Sequence, residues 1–269
     1  MMRTTASAQL PQWGLKLWST NTGYYLPAAR ALYAEKLFDY IELYIVPGDT
    51  ASLGAWQGLD IPFLIHCAHS SHGFNLSLAQ AAPLNRRLFQ EAVRYYAALH
   101  AAGIIIHPGV EGEIEETIRQ INSLIQTTGI PPSTLFLENK PAITLTNERA
   151  TASSSAEMFR IREATGTGFV LDIAHAVKFA LSKKLDIWTV LDDFMQYKPE
   201  IIHICDARMT TPYDEHLHIG DGELVFEKIF ERCWAERISV ETMKDSKYNL
   251  NDFVQDITAL KKYYESTVR

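Results

Sequence analysis

Eight of the nine histidines in this chain fall where short apolar runs end or just beyond them, and four carboxylates share that bias. His66, His69 and His72 follow one run, His107 another and His175 a third. His203 lies within a further run, with His216 and His218 in the loop after it. Glu138, Asp172 and Glu241 each close a run, and Asp214 lies in the same long loop as His216. Imidazole and carboxylate without thiolate form a ligand set for zinc, manganese or iron rather than magnesium or calcium. Taken singly, such a histidine is ordinarily a hydrogen-bonded structural residue, and such an acid caps the next helix. Taken together they conflict, because acids crowded on one partly desolvated rim raise each other's pKa. A divalent cation removes that conflict and uses the neutral imidazoles as ligands.

The crowding depends on the elements that carry these residues. Near-continuous apolar segments at Trp13–Trp18, Tyr40–Ile45, Pro62–Cys67, Ile104–His107, Thr134–Glu138, Gly168–Asp172, Ile201–Cys205 and Arg237–Glu241 predict parallel strands covered on both faces. Helical stripes alternate with them. Leu84, Leu88, Ala92, Tyr95 and Leu99 form one that ends at Gly103 as a C-cap, and His100 falls inside it. Ile114, Ile118, Ile121 and Ile125 form a second, and Phe253, Ile257, Leu260 and Tyr264 a last. Residues 176–197 predict two short helices around Lys183–Asp186, and 151–155 a loop leading into a helix from Ala156. Eight strands alternating with helices predict an α/β fold, a single (β/α)8 TIM barrel over residues 1–269, although an open doubly wound sheet has the same local signature. In a barrel every strand's C-terminal end opens on one rim, so residues distant in sequence become neighbours.

Composition narrows the class. A chain of 269 residues with 47% hydrophobic content can bury a full core. Its longest apolar stretches are far too short to cross a bilayer, and residues 1–17 lack the pattern of a secretory leader. Cys67, Cys205 and Cys233 are odd in number and widely spaced, which predicts buried free thiols in a reducing, cytoplasmic setting. A formal net charge of −7 offers no broad nucleic-acid face, although a cluster of divalent ions can make one mouth locally positive. No Gly-x-Ser-x-Gly elbow, P-loop or Gly-x-Gly-x-x-Gly is present. Trp56, Tyr24 and Tyr25 read as packing before they read as stacking platforms.

In order along the chain stand His69 with Asn75-Leu76, His107-Pro108-Gly109, Leu137-Glu138-Asn139 and Leu171-Asp172-Ile173-Ala174-His175. They continue with His203-Ile204-Cys205-Asp206, Asp214-Glu215-His216 leading to Gly220-Asp221-Gly222, and Glu241-Thr242. This series resembles the apurinic/apyrimidinic endonuclease IV family, within the wider xylose-isomerase-like TIM barrels. The resemblance implies three zinc ions, with manganese or iron as substitutes. His69, His107 and Glu138 would hold the first; Glu138, Asp172, His203 and Glu241 the second; His175, Asp214 and His216 the third. It implies metal-assisted hydrolysis of a phosphodiester, in that family at abasic sites in DNA.

Departures fall in the parts that would touch DNA. The first strand, Trp13-Gly14-Leu15-Lys16-Leu17-Trp18, lacks the family's histidine, and Trp56 has no neighbouring arginine. The family's bulky wedge is replaced by His72-Gly73, and a glycine cannot wedge a base stack. The partner implied is therefore abasic DNA or, failing that, a small phosphoester or sugar; nothing points to a membrane or an obligate protein partner. A sugar isomerase or epimerase would need one ion only, with Glu138 and Glu241 as an acid–base pair and His175 on the sugar. His66, His72 and His218 are left as possible substrate contacts.

Overall fold

Period two within each apolar run decides what faces where. On one phase, Leu15, Ile41, Leu43, Phe63, Ile65 and their counterparts on later strands join the large core between sheet and helices. On the other, Tyr40, Leu64, Ile105, Phe136, Val170 and Ile201 form a separate buried cluster that fills the interior of the sheet. The computed structural model describes residues 10–268, so the first nine residues of the segment read above as lacking a leader lie outside it.

In chain order the elements are β1 (Gln12–Trp18), α1 (Tyr25–Ala34), β2 (Tyr40–Tyr44), α2 (Leu53–Gln57), β3 (Phe63–His66), α3 (Ala82–Ala98), β4 (Ile104–Ile106) and α4 (Ile114–Thr128). They continue as β5 (Leu135–Glu138), α5 (Ser155–Thr165), β6 (Gly168–Asp172), α6 (Ile173–Lys183), α7 (Ile187–Met195), β7 (Ile201–Ile204), α8 (Phe226–Arg232), β8 (Arg237–Val240) and α9 (Asn251–Val268). The strands close as β1-β2-β3-β4-β5-β6-β7-β8, with every pairing parallel and β8 returning to β1. This is the closed barrel expected, and the open sheet is set aside. Large rings plug its lower end, where a Cβ on Gly14 would come within 2.4 Å of the Tyr40 ring. Among the described residues, no helix is long and apolar enough to cross a membrane.

Two local expectations need correction. Helix α3 ends at Ala98 rather than at Gly103, and the chain turns through Leu99 and His100, whose φ of 49° is left-handed. His100 therefore lies outside the helix, and Gly103 instead opens β4, where a Cβ would meet Phe136 and the Thr134 carbonyl. The apolar stripe continued past the last helical residue because Leu99, its C-cap, still packs on the core. The pair of helices expected in residues 176–197 is present as α6 and α7. They are separated by Lys184 in a left-handed conformation, and Asp186 caps α7 by accepting from the Thr189 amide.

Candidate metal centre

The interior phase of each strand continues upward into polar side chains. Two residues beyond Leu64, Ile105, Phe136, Val170 and Ile201 stand His66, His107, Glu138, Asp172 and His203, and Glu241 follows Ser239 on the same side. The alternation that buries the apolar plug thus aims these groups at the mouth. Among the described residues they form three groups with ligand atoms within 4.8 Å of one another. The first is His66, His107 and Glu138; the second is Glu138, Asp172, His203 and Glu241; the third is His175, Asp214 and His216. Glu138 belongs to two of them and is fully buried.

Eight of the nine residues expected from sequence meet in these groups, and His69 does not. His66 Nε2 lies 3.2 Å from Glu138 Oε2, beside His107 Nε2 at 3.0 Å from the same oxygen. His69 sits three residues beyond β3, its Nδ1 2.8 Å from Ser71 Oγ and its ring stacked on His107 at 5.7 Å. Burial, with Lys140 and His66 nearby, lowers the pKa of His69 to about 3 and keeps it neutral. His66→Ala should therefore cost about one bound ion per chain, while His69→Ala should leave the metal content unchanged. Elemental analysis of both variants reads this, and the opposite pattern would return the ligand role to His69.

The donor set fits divalent ions on two observations. Ten buried side-chain N and O atoms among the described residues have no hydrogen-bond partner, and six belong to His107, Glu138, Asp172, His203, Asp214 and Glu241. Among the described residues Asp172 Oδ2 and Asp214 Oδ1 meet no ion-pair partner either, while the atoms of His107, Glu138, His203 and Glu241 lie within 3.2 Å of an opposite group without hydrogen-bond geometry. Such atoms mark places where a ligand belongs. The second observation is the orientation of the imidazoles. Nδ1 of His66 lies 2.8 Å from the Cys67 carbonyl, Nδ1 of His175 2.8 Å from the Asn139 carbonyl, and Nδ1 of His216 2.9 Å from the Glu241 carbonyl. Each Nδ1–H donates there and leaves the Nε2 lone pair able to coordinate an ion. His203 is held the other way round, with Nε2 donating to Glu42 Oε2 at 2.9 Å and Nδ1 turned to Glu241 Oε2 at 2.8 Å. A carbonyl or carboxylate behind each ring is the usual support of a metal-bound histidine.

Without cations, protons balance the acids. Burial disfavours a charged His175, yet Asp172 and Asp214 outweigh it and raise the pKa to about 9. Burial likewise opposes charging of His216, and Asp214 raises it to about 10. Asp172 is pushed up to about 6 by burial against the attraction of His175, with Glu241, Asp214 and Glu138 adding to the rise. These are the crowded acids that the sequence led us to expect.

Sequence reasoning passed over two further members of the mouth, Lys16 and Glu42. Both lie on the interior phase of their strands, Lys16 two residues beyond Gly14 and Glu42 two beyond Tyr40. Lys16 Nζ bridges Glu241 and, at 3.3 Å, Glu42, and Ser239 Oγ donates to Glu42. Against the cost of burial, His203 and Lys16 hold the Glu42 carboxyl down at about 2. A lone acid in Tyr40-Ile41-Glu42-Leu43-Tyr44 and a lone lysine in β1 were the available signals.

The loop after β7 is fixed independently of any ion. Asp206 accepts from the amides of Ala207, Gly220, Gly222 and Leu224. Fully buried Lys178 donates to the carbonyls of Arg208 and Thr211 and to Glu215. His216 adopts a left-handed φ of 49°, a conformation uncommon outside glycine and typical of functional sites. Of the remaining candidates, His218 is committed to Asp256 at 2.8 Å, and His72 meets Tyr44 Oη at 2.7 Å. Trp56 is buried, with Nε1 donating to the Ser19 carbonyl, and the three cysteines are buried and free.

Among solved structures, a D-tagatose 3-epimerase-like protein is 18% identical with a TM-score of 0.71, over 96% of this chain and 98% of that one. Endonuclease IV from Thermus thermophilus is 15% identical with a TM-score of 0.71, over 95% and 100%. A further Thermus thermophilus protein, from crystals soaked in zinc chloride, is 18% identical with a TM-score of 0.65, over 92% and 98%. At such identities the likeness establishes the fold alone, and it spans both epimerase and endonuclease. Among curated protein sequences, none matches this chain. Residues 35–263 match the xylose isomerase-like TIM barrel family across most of the barrel, and the chain belongs to that family.

Proposed function

We propose that the protein is a metal-dependent hydrolase of a phosphoester, with the chemistry implied by the resemblance to endonuclease IV. The observation that carries this reading is the pair of groups on either side of the second, His66 with His107 and His175 with Asp214 and His216. An isomerase that moves a proton beside a carbonyl needs only Glu138, Asp172, His203 and Glu241. Two additional groups sharing or adjoining the same carboxylates instead suit a reaction in which charge develops on several oxygens at once.

Divalent ions held there would supply Lewis acidity towards phosphoryl oxygens and a water acidified to near neutrality. The chain's own residues set the geometry. Glu138 holds the first two groups in register, and Lys16 fixes Glu241 from below. Carbonyls and Glu42 lock the imidazoles into ligand orientation. In the hydrolysis a P–O ester bond breaks and the oxygen of water bonds to phosphorus. One water proton ends on the departing oxygen and the other on a phosphoryl oxygen or solvent.

Elemental analysis after mild purification, coupled to a phosphodiester assay, tests the reading. Close to three transition-metal ions per chain with hydrolysis is the expected result. A single ion with interconversion of a ketose and no hydrolysis would replace it by the epimerase reading, in which Glu138 and Glu241 exchange the proton.

A further inference from the structure

We infer that the mouth of the barrel takes a small phosphorylated molecule, of sugar-phosphate or mononucleotide size, held by Lys140, Lys244 and Lys247, rather than a DNA duplex. The inference rests on the hydrolase reading for the bond that is broken, and on separate observations for what is bound.

The first observation is where the cations lie. A chain of net charge −7 places four lysines, Lys16, Lys140, Lys244 and Lys247, in the lining of one cavity over the metal groups. Lys16 is committed to Glu42 and Glu241. The other three have no carboxylate within ion-pair distance among the described residues. Lys140 Nζ lies 3.4 Å from His107 Nδ1, Lys244 Nζ donates to the Thr242 carbonyl at 2.7 Å, and Lys247 Nζ sits over the Tyr248 ring at 5.1 Å. Lys244 shares the field of Asp252 and Asp256. Once divalent ions balance Glu138, Asp172, Asp214 and Glu241, Lys140 and Lys247 are left without a carboxylate partner among the described residues. A phosphoryl group supplies the counter-charge, with charge-assisted hydrogen bonds to the ammonium groups.

The second observation is the shape of the cavity. Its volume is about 870 Å³, within the ~300–1,000 Å³ typical of small-ligand pockets. Trp18, Tyr25, Tyr44, Ile143, Leu145 and Met243 add apolar and aromatic surface for the organic part of such a ligand.

The third is the surrounding rim. A duplex is positioned chiefly by lysine and arginine contacts to its phosphates. The loops around the mouth instead carry Asp49, Glu111, Glu113, Asp221, Glu223 and Asp245. Their two arginines are already engaged, Arg208 by Glu215 and Arg149 by the Gly112 carbonyl with Glu113 4.0 Å away. The lysines without a carboxylate partner gather on the two loops that line this one cavity and not around the whole rim, a distribution that suits a small phosphoester better than a double helix.

Zinc-loaded protein is assayed on thymidine 5′-(p-nitrophenyl phosphate) and on a short duplex with one tetrahydrofuran abasic analogue. Binding of ribose 5-phosphate and of ribose is measured by calorimetry. The small diester is expected to be hydrolysed and the duplex neither cut nor retained. Lys140→Gln/Lys247→Gln should raise KM roughly 10-fold or more with kcat and metal content little changed, the pattern of lost binding. Ribose 5-phosphate should bind and ribose should not. Cleavage of the duplex with kcat/KM equal to or above that of the diester overturns the inference, as does an unchanged KM in the double variant. If neither substrate is hydrolysed, the hydrolase reading falls and binding decides the inference. Selective binding of ribose 5-phosphate, weakened in the double variant, upholds it; equal binding of both sugars, or of neither, ends it.

Discussion

Glu138→Ala is expected to disrupt the first two metal groups together and to lower phosphodiester hydrolysis by roughly 10³-fold or more, since losing even an outer-shell partner of a metal ligand costs about 10–100-fold. The side chain closes β5, is fully buried, and offers one oxygen to His66, His107 and His203 and the other to His175. Among the described residues no other carboxylate belongs to both groups, so none can take its place. Burial penalises the Glu138 charge, but His107 and His203 hold its carboxyl well below the usual range. It is thus ionised and ready to bridge at neutral pH. Metal content should fall from about three ions to about one, retained by His175, Asp214 and His216. Glu138→Gln, of the same shape, should lose nearly as much activity, because an amide brings no negative charge to either ion. Circular dichroism of both variants should match the wild type, since the apolar layers of the barrel do not include this residue. Full metal content and a rate within about 10-fold of wild type in Glu138→Gln would remove the bridging role.

The convergence of these side chains on one rim was largely legible before any coordinates. Apolar runs of four to six residues ending in histidine or acid place the ligand-bearing ends on one rim, whatever the detailed packing. His69 was singled out by its spacing to Asn75, whereas the geometric groups contain His66, which phase on the strand would have favoured. His66 is in register with Leu64, which faces the interior, so its ring is carried into the mouth by the pleat itself. His69 lies beyond the last paired residue, where no periodicity constrains direction. Asn75 serves the loops instead, because its side chain accepts from the Val110 amide and the Ser77 hydroxyl and so ties the segments after β3 and β4 together. Lys16 and Glu42 were missed for the converse reason. Each is a single polar residue inside an apolar strand and lacks a partner nearby in sequence; their partners, Glu241 and His203, are supplied only by closure of β8 onto β1 and by the width of the barrel. What one sequence could not convey was the distribution of lysines around the cavity. It depends on the paths of the loops after β5 and β8, which no local pattern specifies.

The third group offers the cleanest separation of chemistry from folding, because two of its three candidate ligands, Asp214 and His216, stand on a loop held by other contacts. In Asp214→Ala/His216→Ala, one ion should be lost and the first two groups kept, with hydrolysis falling roughly 10²–10³-fold, the scale associated with removing one stabilising contact to developing charge. His175 alone remains, and its Nε2, 3.2 Å from Asp214 in the intact protein, has no second ligand. The loop should stay in place. Asp206 still gathers four amides, Lys178 still binds two carbonyls and Glu215, and Asp256 still accepts from His218 and the Ile219 amide. Removing the strained backbone position of His216 gains nothing, since alanine is no more at ease at positive φ. The measurements are metal content, thermal melting of the metal-free chain, and kcat on a small phosphodiester. Loss of one ion with a fallen kcat and an intact fold assigns the third group to the reaction. Loss of the ion with undiminished kcat would confine hydrolysis to the two groups joined by Glu138, and retention of all ions would show that Asp214 and His216 were never ligands.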